Sequence, residues 1–523
     1  MRRIGENGTA RMATGGSQLS FVRRLLVSEI TAVLLAGGYL GLCLSGDNRL
    51  FMYFGWVDTA ALLMLVGGAG LAAALVLHAG SRATRGRSDK WLSPCFFFAV
   101  VMIGFNFFPT LRQAWVKHLP WLSGTVYYLM IWGLGGVLTW AGYRWSGMRK
   151  LAAAGWRRSA LLWPLLILLP FNLLAAKKWE GGQGGAVQLE RRAQGAAAPV
   201  VVLILDMIGY GDAFTPEGAV FETLPNLATF SSSAMVYHQA RSCGDFTSTS
   251  LPGLMLQEEV GNPLLENDGV RWRVQASAGG PPRLAKDFAM ALPYRFREAG
   301  GRAVYFGYYL PYKEIMPGAW DEVVSPCFYG LPRSRFGTGL WAALWHHVVQ
   351  YWIASKDPVA GWAKQIDLYT PWLNDYHREL TGDVLEAGKR YIRDSLSPGD
   401  LAIIHLTVPH PPIVFNAEGG PSRFGREDPA GYADQLYYAD RLFGELVGEL
   451  KQAGQWESAW VVVMSDHGSH FQDWSSDPEE KRHVPFMVKA PGQTERQDLQ
   501  EPIRLADFEQ IPGFPLAPAT GKE

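Results

Sequence analysis

The stretch Trp460-Val-Val-Val-Met464-Ser465-Asp466-His467-Gly468 decides the fold. Its first five residues are apolar and mostly β-branched, which reads as a buried strand. They run straight into Ser-Asp-His-Gly, so a carboxylate and an imidazole stand side by side where the strand ends. Open α/β sheets gather active sites at the carboxyl ends of parallel strands. Asp-His-Gly also makes ordinary turns, so the weight of the pair depends on the rest of the chain.

Upstream, Leu436, Ala439, Leu442, Phe443, Leu446 and Leu450 recur at helical spacing, and Gly454 ends a helix expected over 432–453. Before it lies Leu401-Ala-Ile-Ile-His405-Leu-Thr-Val-Pro-His410-Pro-Pro412. This reads as a second buried strand and a loop whose prolines fix the backbone around His410. His405, in mid-strand, reads as a satisfied core histidine. Strand, helix and strand in this order form a βαβ unit, so the sheet is expected to be mainly parallel. A third buried strand, Val200-Val-Val-Leu-Ile-Leu205, delivers Asp206 ahead of Met-Ile-Gly-Tyr-Gly-Asp212. In Ser242-Cys-Gly-Asp-Phe-Thr247-Ser-Thr-Ser250-Leu-Pro252, hydroxyls crowd before an apolar run. A helix N-terminus looks like that, and its dipole end favours phosphate, although a plain Ser/Thr cap gives the same pattern. His483, in Arg482-His483-Val-Pro485, precedes one more strand.

The chain has 523 residues and a formal net charge of zero, so composition gives no case for nucleic acid as a partner. Apolar stretches at 25–45, 57–78, 92–111, 121–143 and 159–176 each approach the ~20 residues needed to cross a bilayer. Lys and Arg concentrate before the first stretch, between the second and third, and between the fourth and fifth. By the positive-inside rule, 1–24 is cytoplasmic and everything after the fifth span is extracytoplasmic. The expected organisation is a five-span α-helical membrane domain at 25–178, a Gly/Ala-rich linker at 179–198, an α/β catalytic domain at 199–495, and a tail at 496–523. Glu29 falls in the first span and reads as an interfacial group near Arg24. Cys243 and Cys327 fall in the external domain, where a disulfide is permitted; their separation in sequence leaves the pairing open.

Asp206, Thr247, Asp466 and His467 together would make a hard, anionic O/N site that suits Zn²⁺ or, alternatively, Mn²⁺. A cation beside the Thr247 hydroxyl would make it a nucleophile at neutral pH. His410 and His483 would then bind phosphate oxygens or protonate the leaving group.

These motifs in this order resemble the alkaline phosphatase/sulfatase superfamily. Five spans ahead of them resemble its membrane branch of phosphoethanolamine and phosphoglycerol transferases. In the phosphoethanolamine branch the nucleophile is a Thr four residues after a Cys; Cys243, Gly244, Thr247, Ser250 and Pro252 keep that spacing. The resemblance implies an alkaline phosphatase/sulfatase-like fold with Thr247 as nucleophile. It implies Asp206, Thr247, Asp466 and His467 as metal ligands, with His410 and His483 beside the phosphate. The chain departs from the branch in two places. Gly253 stands where a second Cys usually closes a disulfide, and Met207 stands where the sulfatase form has a second Asp. A sulfatase also needs a Cys or Ser that can be oxidised, and Thr247 cannot become formylglycine.

The expected activity is transfer of a phospho-head-group, phosphoethanolamine being favoured, from a membrane phospholipid to an envelope glycan or lipid through a phospho-threonine. The alternatives are a phosphodiesterase or phosphatase using the same residues, and a non-catalytic envelope component. The expected location is the bacterial inner membrane with the catalytic domain in the periplasm. The aromatic-rich region 340–375 reads either as part of the acceptor surface or as ordinary helix packing; aromatics stack on sugars and also mark membrane interfaces.

Overall fold

The structure is a computed structural model. It describes Trp56–Ala83, 197–261, 263–265, 272–310, 312–325, 339–354, 370–425, 427–471 and 478–515, with isolated positions at 21–28 and 133–144. Two compact units divide the chain. One comprises Met1–Glu180 with Arg333–Tyr369, and the other Gly181–Pro332 with Thr370–Glu523.

Among the described residues the second unit holds twelve strands: β1 (Val200–Asp206), β2 (Met235–Tyr237), β3 (Ala240–Arg241), β4 (Leu264–Leu265), β5 (Trp272–Arg273), β6 (Ala303–Phe306), β7 (Glu322–Val324), β8 (Leu401–Pro409), β9 (Trp460–Ser465), β10 (Phe486–Lys489), β11 (Gln497–Leu499) and β12 (Ile503–Arg504). Eight of them form one sheet in the order β11-β2-β10-β9-β1-β8-β6-β7. β1 pairs in parallel with both β8 and β9, and β6 and β7 continue in parallel beyond β8. β10 is antiparallel to β9 and to β2, and β11 is parallel to β2, so β10 alone runs against the rest. The mainly parallel sheet expected from sequence is therefore present.

β1, β8 and β9 are buried at every position. That is why they read as continuous apolar runs rather than alternating ones. The expected βαβ unit exists, with its helix at Pro429–Gln452, but β8 and β9 are not neighbours: β1 lies between them. A local strand–helix–strand pattern cannot reveal an inserted strand from two hundred residues upstream. The helices Thr370–Asp394 and Pro429–Gln452 pack on β8 and on each other, covering one face of the sheet.

The fold runs past the boundary expected at 495. β11 extends the sheet edge, β12 pairs with β3, and Leu505, Phe508 and Ile511 are buried. The Pro- and Gly-rich end disguises apolar anchors spaced too irregularly to show a period.

The helix Trp56–Ala83, of 28 residues, lies on the second expected span. The other four spans lie outside the described residues apart from isolated positions, as do Glu29 and Cys327. Among the described residues no helix is long and apolar enough to cross a membrane.

Asp440 fastens one part of this fold. From inside the helix Pro429–Gln452 it accepts hydrogen bonds from the backbone N–H groups of Asn226 and Leu227 at 3.1 and 2.8 Å, and from the Asn226 amide at 2.7 Å. It thus caps the helix Pro225–Ser231, whose own N-cap residue, Leu224, cannot. Asp440→Ala is expected to lower stability by about 2 kcal/mol. Chemical unfolding of the full chain measures this, with bound metal unchanged.

Candidate active site

Sheet register places the first three site residues. Ile204 on β1 stands opposite His405 on β8 and Met464 on β9. Side chains two apart share a face. Asp206 and Asp466, each two residues farther on, therefore point the same way as His405. Between Leu205 and Asp206 the β1–β8 ladder shifts register, which ends regular pairing where the carboxylate emerges. All three side chains are buried, and one oxygen or nitrogen atom from each lies within 4.8 Å of the other two.

The loops that follow lock this edge. Asp466 Oδ1 accepts from the N–H groups of Met207 at 3.1 Å and His467 at 3.0 Å. Ser465 Oγ accepts from the Ile208 N–H at 2.7 Å and donates to the His467 carbonyl at 2.9 Å. Met207 adopts φ of +68°, costly for a residue with a side chain, and its backbone bonds hold it there. Its side chain packs with Ile413 and Tyr432 in an apolar cluster, so it offers the site no ligand. Gly468 follows His467 because a Cβ there would meet the Lys481 carbonyl oxygen at 2.4 Å.

Thr247 is the first residue of the helix Thr247–Leu256, and the N-cap is Phe246, with no side-chain cap. Its hydroxyl is thus not a cap; Oγ1 lies 3.2 Å from His467 Nε2. His467 Nδ1 lies 2.9 Å from the Gly468 carbonyl, which can only accept. Nδ1 therefore carries the hydrogen, and Nε2 turns its lone pair toward Thr247. The same Nε2 stands 3.6 Å from Asp206 Oδ1 and 3.7 Å from Asp466 Oδ2. Ligand atoms around a tetrahedral cation at about 2.0–2.2 Å are roughly 3.3–3.6 Å apart. His467 Nε2 thus stands at or near that spacing from one atom each of Thr247, Asp206 and Asp466.

His405 joins them, contrary to its expected role as a satisfied core residue. Its Nε2 is 3.3 Å from Asp206 Oδ2, and its ring stacks on Tyr308 at 4.9 Å. Asp206 Oδ1, Asp466 Oδ2 and His405 Nε2 are all buried without a hydrogen-bond partner. Buried polar atoms are rarely left so, and two carboxylate oxygens with an imidazole nitrogen are donors that fit a divalent cation. Electrostatics agree. Burial would raise the Asp206 pKa, but the adjacent His410, His405 and His467 outweigh it and hold the group well below the usual carboxylate range. Burial, then the charge of Asp206, pushes Asp466 up. Two carboxylates this close resist ionising together until a cation joins them.

At the rim, His410, His467 and His470 bring ring nitrogens within 4.8 Å of one another. His470 is exposed on its outer side. Desolvation, followed by the nearby His467, His410 and Lys481, lowers its pKa to about 4. Gln435 fixes the His410 loop from the helix behind. Its Nε2 donates to the carbonyls of Pro409 and His410 at 3.0 Å each, while Oε1 accepts from Val414 at 2.9 Å and Phe415 at 3.1 Å.

His483 is not brought to this group. Its Nε2 donates to the His238 carbonyl at 2.8 Å, its Nδ1 is 3.1 Å from Glu480, and its ring stacks on Tyr210 at 4.2 Å. It holds the Gly209-Tyr-Gly turn against the start of β10, and the phosphate role expected for it is corrected to a structural one. Cys243 is a free, buried thiol among the described residues. A Cβ on Gly253 would fall 2.6 Å from the Cβ of Cys243, so the thiol packs on bare backbone where the resembling enzymes place a second sulfur.

Residues 344–509 match the Sulfatase family model. The match spans His405, His410, Asp466 and His467 but not Asp206 or Thr247. The C-terminal part of the chain thus has an alkaline phosphatase/sulfatase-like α/β fold. Solved structures resemble it distantly. Ps i-CgsB, in complex with k-i-k-neocarrahexaose, is 14% identical over 60% of this chain and 70% of its own, at a TM-score of 0.40. The lipoteichoic acid synthase LtaP from Listeria monocytogenes is 13% identical over 59% and 69%, at 0.37. The periplasmic domain of EcEptC from Escherichia coli, in complex with Zn, is 13% identical over 61% and 81%, at 0.36. No curated protein matches the chain. Members of this superfamily are mostly enzymes acting on phosphate or sulfate esters.

Elemental analysis of the purified chain checks the ligands. Asp466→Ala and His405→Ala are each expected to lose most of the bound divalent metal, and unchanged stoichiometry would remove either residue from the set. Gln435→Leu is expected to keep its metal and lose roughly tenfold in turnover, as for other supports of site residues.

Proposed function

We propose that the chain is a metal-dependent phosphotransferase that moves a phospho-head-group, phosphoethanolamine in preference to phosphoglycerol, from a membrane phospholipid to an envelope glycan or lipid. The observation that carries this is Thr247: a hydroxyl at a helix start, 3.2 Å from an oriented imidazole and beside two buried carboxylates. A threonine cannot form the aldehyde of a sulfatase, which leaves phosphoryl transfer as the chemistry of this fold that its hydroxyl can perform.

Asp206, Asp466 and His405 carry the unpartnered atoms and would hold the ion, Zn²⁺ or Mn²⁺, with Thr247 and His467 at its edge. When bound, the ion would supply positive charge that lowers the pKa of the Thr247 hydroxyl and offsets charge on the phosphoryl oxygens. Thr247 Oγ1 attacks phosphorus, and its proton passes to His467 Nε2, 3.2 Å away and not bound to the ion at that step. The phosphorus–oxygen bond to diacylglycerol breaks as the bond to Thr247 forms. The leaving oxygen takes a proton from the rim, where His410 is held by Gln435. An acceptor hydroxyl then attacks phospho-threonine and regenerates Thr247.

The membrane donor is supported by the five apolar stretches preceding the catalytic unit, and the periplasmic side by the distribution of Lys and Arg between them.

Intact-protein mass spectrometry tests the reading. The full chain in detergent, loaded with Zn²⁺ or Mn²⁺, is incubated with phosphatidylethanolamine and separately with phosphatidylglycerol. The expected result is an added phosphoethanolamine mapped to Thr247 and missing from Thr247→Ala. Free head group released without any adduct would assign a hydrolase instead.

A further inference from the structure

The helix Leu340–Ala354, LWAALWHHVVQYWIA, contains no Asp, Glu, Lys or Arg. Its burial is reversed relative to a helix facing water. Ala343, His346, His347 and Val349 are buried, while Trp341 is 80% and Trp345 51% exposed. Leu344 and Val348 are half-buried. Trp341, Leu344, Trp345 and Val348 recur at i, i+3, i+4 and i+7, so one helical face is apolar and turned outward. The two histidines lie inside.

This helix packs against Trp56–Ala83, within the same compact unit. That neighbour also exposes large apolar side chains. Met64, Leu71, Leu75 and Val76 are exposed, while Ala61, Leu62, Val66 and Ala74 are buried. Exposed large apolar side chains mark a surface for a membrane or another partner. Both of the packed helices therefore carry apolar side chains on their exposed sides.

We infer that Leu340–Ala354 is an interfacial membrane helix, its Trp341–Trp345 face set among lipid head groups and upper acyl chains. Fifteen residues span about 22 Å, short of the ~30 Å hydrocarbon core, so the helix lies in the surface rather than crossing it. Tryptophan concentrates at that depth. The absence of any charge across the helix and the exposed apolar side chains of the helix packed on it favour lipid over a second protein copy. The inference rests on the membrane reading made under the proposed function. It moves residues 340–354 from a candidate acceptor surface to an anchor. The chain leaves the catalytic unit after Pro332 and re-enters it at Thr370, so both ends of the excursion, as well as the linker, would tether that unit to the bilayer.

Full-length protein reconstituted in phosphatidylethanolamine/phosphatidylglycerol vesicles containing a diazirine phospholipid is illuminated, and lipid adducts are mapped by peptide mass spectrometry. Adducts are expected within both 340–354 and 57–78. In a Trp341→Ser/Trp345→Ser variant those within 340–354 should be lost and those within 57–78 kept. Adducts within 57–78 with none within 340–354 would overturn the inference while leaving the membrane reading standing. Contacts between copies through 340–354 in a parallel protein crosslinking experiment would assign the face to self-association instead. No adduct in either segment would overturn the membrane reading and the inference with it.

Discussion

Two carboxylates buried at one sheet edge are the constraint on which the rest of the site depends. Asp206 and Asp466 arrive on adjacent parallel strands, on the same face, with both side chains out of water. Burying even one unpaired carboxylate is expensive, and two in contact are worse. The surroundings meet that cost in part. Backbone N–H groups hold one oxygen of Asp466, three imidazoles surround Asp206, and the Tyr308 hydroxyl donates to Asp206 Oδ2. One oxygen on each carboxylate still has no partner. The arrangement makes physical sense as a socket for a divalent ion, which would give both oxygens a partner and cancel both charges.

Much of this socket was legible in sequence because it is made of strand ends. An apolar run ending in Asp announces both burial and the side chain's exit, which is why Asp206 and Asp466-His467 could be named directly. Thr247 was legible only through a spacing shared with known enzymes, since a hydroxyl before an apolar run equally describes a cap. The structure separates the two, because the cap position belongs to Phe246. His405 was not legible. It sits inside an apolar strand, where burial and function leave the same trace, and only the register of β1 against β8 turns it toward Asp206. His483 failed in the opposite direction. Its motif matched, but the Tyr210 ring and the His238 carbonyl, neither of which a linear motif records, claim its side chain.

The same distinction applies to the fold. Each buried strand could be found from its own residues, but strand order could not. β1 enters between β8 and β9, so the central pairs join residues some two hundred positions apart or more. Without that insertion Asp206 would stand at an edge, distant from one of the two strands that complete its site.

Charge also divides the site into two functional layers. With Met207 turned into an apolar cluster, the inner layer carries only the two carboxylates, whose combined charge one divalent ion neutralises. The outer layer of His410, His467 and His470 contributes imidazoles rather than carboxylates. Anionic groups at the rim would repel a phosphodiester as it approached, whereas imidazoles can donate hydrogen bonds to its oxygens or carry a proton to the leaving group. Lys481, whose positive charge helps to depress His470, makes this rim still more favourable to anions. Metal affinity and substrate affinity are thus assigned to different residues. His467 borders both layers, with its Nε2 3.2 Å from the Thr247 hydroxyl and 3.6 and 3.7 Å from the two carboxylates.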